Sequence, residues 1–184
     1  MDLFSANQLM WAAFIIGNCT PFLFIIFYKA QKISSEIFTL YFLGVLVGLT
    51  WEIPFALAGK SFHLILIDWP INLPLVRNIT YSFIDGLIFI IGIFLTKAIL
   101  KNENFLYEFN VKALSIMIIW GSVSEFLVDL NGNGKLWLFI DNWYNPVFVT
   151  INGNNLTIIP QLIWFVAPIV YYVVILNYKG FEAE

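Results

Sequence analysis

The chain has 184 residues, of which 60% are hydrophobic and 11% charged, with a formal net charge of −3. A water-soluble domain carries roughly a quarter charged residues, so this composition cannot cover a water-facing surface, and a bilayer is the solvent it fits. The absence of a basic face excludes nucleic acid as a partner, and the single cysteine excludes a disulfide framework or a thiolate metal site.

Residues 1–7 contain no Lys or Arg, and no small-residue cleavage site follows the apolar stretch after them. The first apolar run is therefore expected to stay as a membrane span and not to be removed as a signal peptide. Five runs of about 20 residues are long enough to cross the hydrocarbon. They cover residues 8–28, 36–58, 80–100, 111–130 and 158–178. The expected fold is an all-α polytopic membrane protein, with residues 1–184 forming one integral membrane domain and no internal repeat.

The first span carries Asn18 and Pro21, a polar and kinked stretch near mid-membrane, while Cys19 reads as a small packing residue. In the second, Gly44, Gly48 and Glu52 recur every four residues on one face, so a neighbouring backbone can approach closely. The segment 61–78 holds Phe62, Leu64, Ile65, Leu66, Trp69, Pro70 and Pro74, and is expected to lie in the interface or fold back over the bundle. Its His63, the only histidine, reads as an interfacial side chain in preference to a ligand.

The third span shows Ser82, Asp85, Phe89, Gly92 and Thr96 in alternating three- and four-residue steps. The fourth places Ser115, Ser122, Glu125 and Asp129 roughly along one face, with Gly121 beside Glu125 and Asp129 expected to be solvated at the interface. Residues 131–157 hold the only β signals. Leu136-Trp137-Leu138-Phe139-Ile140 and Val147-Phe148-Val149-Thr150-Ile151 are β-prone runs, and Asn152-Gly153 favours a tight turn before Leu156-Thr157-Ile158. A short extracytoplasmic β-hairpin or cap is expected there. The fifth span presents Gln161, Trp164, Pro168 and Tyr171 at helical spacing.

With alternating spans, Lys29, Lys32, Lys97, Lys101, Lys112 and Lys179 fall on one side, and only Lys60, Arg77 and Lys135 on the other. The positive-inside rule then puts the N-terminus outside and the C-terminus in the cytoplasm. Asn-x-Thr sequons occur at Asn18, Asn78 and Asn155.

Charged residues within spans cost a few kcal/mol by insertion scales, so each needs a reason. Glu52, Asp85 and Glu125 lie six, five and five residues from the outer ends of their expected spans. At 1.5 Å per residue all three sit about 8–9 Å inside the outer boundary. They can meet, and they are the candidate catalytic residues. Trp51, Tyr81, Ser82, Ser122, Gln161 and Trp164 are the candidate pocket-lining residues. Three carboxylates together in a low dielectric cannot all stay ionised, which sets a proton donor beside an acceptor. Aromatic faces nearby, including those of Trp51, Phe55, Tyr81, Trp120, Trp164 and Tyr171, suit a cationic intermediate. Protonated acids that merely hold helices together, or oxygen ligands for a hard cation, are the competing readings. One histidine does not make a histidine-rich transition-metal site, and the sequence names no cofactor.

Trp51-Glu52 late in the second span, followed by Asp85 in the third, is similar to the arrangement in the seven-helix membrane terpene cyclases. The resemblance implies membrane-embedded acids that protonate an isoprenoid. It covers the second and third spans only. This chain has two helices fewer, and its fourth-span pattern Trp120-Gly121-x-x-x-Glu125 has no counterpart in that arrangement.

The expected function is an outer-leaflet acidic pocket that binds a lipid or isoprenoid or performs acid–base chemistry on it. A small proton or cation transporter, and an accessory subunit of a larger membrane complex, are the alternatives. Membrane lipids are the expected partners, with other membrane subunits or a homo-oligomer in the alternative readings.

Overall fold

Ser5 begins the first helix with a reciprocal cap. Its hydroxyl accepts from the Gln8 amide, and the Gln8 side chain accepts from the Ser5 amide. The computed structural model of the chain describes residues 4–151 and 153–183. Its helices are α1 (Ala6–Lys29), α2 (Ser35–Ala58), α3 (Pro74–Leu100), α4 (Val111–Gly132) and α5 (Ile158–Ala183). All five are long and apolar enough to cross a membrane. Ser34 caps α2 and Asn110 caps α4 through their side-chain oxygens. The outward faces are apolar, with Ile15, Phe22, Leu46, Phe94, Ile119 and Phe165 all exposed, as a lipid solvent requires.

The largest departure from the expected spans is α3. It starts at Pro74, not residue 80, because a proline with its fixed φ is well suited to the first turn of a helix. Arg77 and Asn78, expected in the loop, are thereby helical and buried. Asp85 then lies eleven residues into its helix instead of five. The depth argument from helix ends fails for α3, although the three acids still reach a common space.

α3 is central and packs on α1, α2 and α4. The small-residue face of α2 meets it closely. A Cβ on Gly44 would lie 3.1 Å from Gly86 Cα, and one on Gly86 would lie 2.6 Å from Val45 Cγ2. α4 packs on α5, where Gly121 meets Pro168 and Trp164. Away from the cap the bundle is filled by apolar side chains, among them Leu40, Val47, Phe89, Ile93, Met117 and Ile175. Cys19 is exposed on the outer face of α1, so it is not the packing residue expected.

One end of the bundle carries the cap. β1 (His63–Ile65) pairs antiparallel with β2 (Trp137–Phe139), in the register His63↔Phe139 and Ile65↔Trp137. The first β-prone run thus pairs with the segment after α2 and not with its sequence neighbour. β3 (Val147–Ile151) and β4 (Asn154–Thr157) form the expected hairpin, with a bulge between Val147 and Val149. Gly153 has φ +81°, the left-handed conformation such turns favour; Asn152, the other turn residue, lies outside the described residues. Met10, Phe62, Trp69, Leu136, Trp137 and Phe139 bury one another beneath the cap. Buried Asn145 ties the cap to α5, because its Nδ2 donates to Ile140 O and its Oδ1 accepts from the Ile159 amide.

Candidate functional site

Trp120 ties α4 to α3. Its Nε1 donates to Ile88 O at 2.8 Å, and its ring covers Gly92. Between this contact and the cap lies a cavity of about 620 Å³ with walls from all five helices, β1 and β2. Glu52 of α2, Asp85 of α3 and Glu125 of α4 all line it, and each is buried. Their charges are close enough to interact. Among the described residues no three of His, Cys, Asp and Glu are placed to share a metal ion.

The three acids have different surroundings. Asn78 Nδ2 donates to Glu52 Oε2 at 2.6 Å, and Arg77 Nη2 donates to Asn78 Oδ1 at 3.4 Å. Glu52 is therefore held by a short relay that ends in a cation. Asp85 packs on bare α2 backbone. A Cβ on Gly48 would come within 2.7 Å of its Oδ2, and that oxygen is buried without a hydrogen-bond partner. Glu125 lies on a different wall from the other two, one turn before Asp129.

Of the pocket candidates, Trp51, Tyr81 and Trp164 are in the walls. Ser82, Ser122 and Gln161 are not. Ser82 donates to Asn78 O within its own helix. Ser122 is half-buried, and Ser115 is exposed and bonds to Val111 O. The buried stripe of α4 runs instead through Ala113, Met117, Gly121, Glu125 and Asp129, a strict four-residue step. Gln161 Nε2 donates to Asp129 Oδ2 at 2.9 Å, while Trp137 Nε1 donates to Asp129 Oδ1 at 3.4 Å. Asp129 is completely buried, which overturns its reading as a solvated interfacial residue. It joins α4, α5 and the cap.

His63 is likewise not interfacial. It is buried in the cavity wall with its ring stacked on Phe139 at 4.8 Å. Burial, with the Arg77 charge nearby, pulls its pKa down to about 3, so the ring is neutral at physiological pH. Apart from Asn131, the rest of the lining is apolar or aromatic, including Phe55, Ile84, Leu136, Trp137 and Ile163. Trp51, Phe89, Trp164 and Tyr171 stack below it, with ring centroids 4.4–6.3 Å apart. Asn78 and His63 were missed as contributors to the site because each sits in a segment that reads as a loop.

Comparisons with protein-family models, with curated proteins and with solved structures return no match to this chain.

Proposed function

We propose that this chain is a multi-pass membrane protein whose acidic pocket binds a lipid or isoprenoid and carries out acid–base chemistry on it. The convergence of Glu52, Asp85 and Glu125 on one largely apolar cavity carries this reading. At about 620 Å³ the cavity falls in the size range that encloses a small organic ligand. Glu52 and Asp85 serve as the proton-transferring pair, and Glu125 sets their charge from a separate wall. The faces of Trp51, Tyr81, Trp137 and Trp164 suit positive charge that develops on the ligand. The stacked aromatic floor beneath the cavity supports a blind pocket over a conduit for protons or cations, since its one hydroxyl, that of Tyr171, donates to Leu40 O.

The cap end is taken as extracytoplasmic, with the N-terminus outside and the C-terminus inside. The lysine-rich loops at the opposite end support this orientation. At that end Lys179 pairs with Glu36 at 3.0 Å, and Lys97 pairs with Glu103.

The test is Glu52→Gln in protein purified from a mild detergent together with its own membrane lipids. Mass spectrometry of those lipids reads conversion. The expected result is loss of conversion with an unchanged thermal midpoint; equal loss of folding, or undiminished conversion, overturns the reading.

One observation favours a second reading, a subunit of a larger membrane complex. Trp143, Tyr144 and Phe148 stand exposed together on the cap, with Trp143 91% accessible. Purification as a free, monodisperse monomer in gentle detergent argues against it.

A further inference from the structure

The cavity is shut on the cap side and open on a membrane-facing side. Toward the cap it is roofed by Leu136, Trp137 and Phe139, which are buried against Met10, Phe62 and Trp69. Its other margin is built by Leu9 and Ala13 of α1, Ile84 and Ile88 of α3, and Leu127 and Val128 of α4, with Asn131 at its cap end. α1 and α4 both pack on α3, and no extensive packing joins them to each other among the described residues. Ile84 and Ile88 line the cavity together with α1 and α4 residues, so they form the back of a gap between α1 and α4. Leu127 is 52% exposed and Val128 39% exposed, although both line the cavity. Leu9, Ala13, Ile84, Ile88, Leu127 and Val128 all belong to helices long and apolar enough to span a membrane, and none is polar.

We infer that the gap between α1 and α4 is a lateral portal through which the apolar chain of a membrane lipid enters the acidic cavity from the bilayer. This rests on the reading of the cavity as a lipid pocket. Two physical facts choose the occupant. Apart from Asn131 at its cap end, whose amide donates to Leu127 O, the margin has no hydrogen-bonding side chain, so a hydrated solute would lose its water there with little compensation. Hydrocarbon passes from bilayer to margin with no such loss, because the two are equally apolar. The ligand therefore keeps an apolar tail in the membrane and brings only its reactive end to Glu52, Asp85 and Glu125. The second, independent sign of a ligand is Asp85 Oδ2, a buried and unpartnered oxygen in that wall.

The probe is a single-chain alkyl diazirine alcohol in phosphatidylcholine vesicles that contain the full chain. After irradiation, peptide mass spectrometry reads which residues carry the alkyl label. The expected result is labelling of Glu52, Asp85 or Glu125 as well as the outer faces of the helices. Ala13→Trp and Val128→Trp each add a ring at the gap, and both positions are partly or largely exposed, so the fold has room for it. Each is expected to abolish labelling of the acids while labelling of outer-face residues such as Ile15 and Phe22 continues. Absence of label on the acids in the unmodified chain overturns the portal, and so does undiminished label in both Trp variants. Glu52→Gln separates the two proposals. It is expected to leave labelling of Asp85 and Glu125 intact, because entry does not depend on proton transfer.

Discussion

Asn78 Nδ2 donates to Glu52 Oε2 across 2.6 Å, joining the first turn of α3 to the last third of α2. Both side chains are buried, and Asn78 in turn accepts from Arg77, so Glu52 depends on this amide for its polar contact. Asn78→Leu should leave the Glu52 oxygen without its donor and cost about 1–3 kcal/mol, the usual penalty for an unsatisfied buried group. Glu52→Gln retains an acceptor oxygen and should cost less. A double-mutant cycle of Asn78→Leu with Glu52→Leu, read by thermal unfolding in detergent, checks the contact; additive losses would show that it carries no coupling.

Gly48 makes room for Asp85. An added Cβ would lie 2.7 Å from Asp85 Oδ2 and 2.9 Å from its Cβ, distances that force a shift. Gly48→Ala should therefore destabilise the α2–α3 contact by about 1–3 kcal/mol, as overpacking does. Conversion of ligand should fall with it, because Asp85 is pushed from its place. An unchanged thermal midpoint in Gly48→Ala would show that the two helices have slack there.

Asp129 holds two donors, the buried Trp137 Nε1 and the half-buried Gln161 Nε2. Asp129→Leu strands both and should cost roughly 2–4 kcal/mol, whereas Asp129→Asn keeps one acceptor and should cost about half as much. The ranking, read from thermal midpoints in one detergent, is the check; equal effects would mean that only side-chain volume matters at this position.

His63 predicts a pH dependence of stability. The unfolded chain binds its proton at the ordinary value near 6.5, while the folded chain binds it only near 3. Between those values the unfolded state carries more protons, so stability rises with pH there and falls on acidification. The loss begins below 6.5 and approaches about 1.4 kcal/mol per pH unit. His63→Phe keeps the stack on Phe139 and removes the titration, so its stability should fall less between pH 6 and 4, which lie inside that window. Parallel curves for the two proteins would show that the ring is hydrated.

Much of the site was legible as local pattern. Gly44, Gly48 and Glu52 in α2, and Ser82, Asp85, Phe89, Gly92 and Thr96 in α3, follow the helical period and are all buried. Small and polar residues in an otherwise apolar helix have only the bundle interior to face, so periodicity alone orients them. The fourth span misled because a serine need not face inward: Ser115 is exposed and satisfies its hydroxyl on its own backbone, and Ser122 is only half-buried. Pro74 misled because the residue that marks a loop also starts a helix.

The sequence by itself determined that five helices are long and apolar enough to cross a membrane and that acids stand on their inner faces, since hydropathy and helical phase are properties of neighbouring residues. Only the tertiary structure decided which segments meet. Residues 63–65 pair with 137–139, Asn78 reaches Glu52, and Trp137 and Gln161 reach Asp129. These contacts join residues on different helices and strands, and no local pattern carries the distance between them. The gap between α1 and α4 belongs to the same class, for an opening is set by where two helices fail to touch.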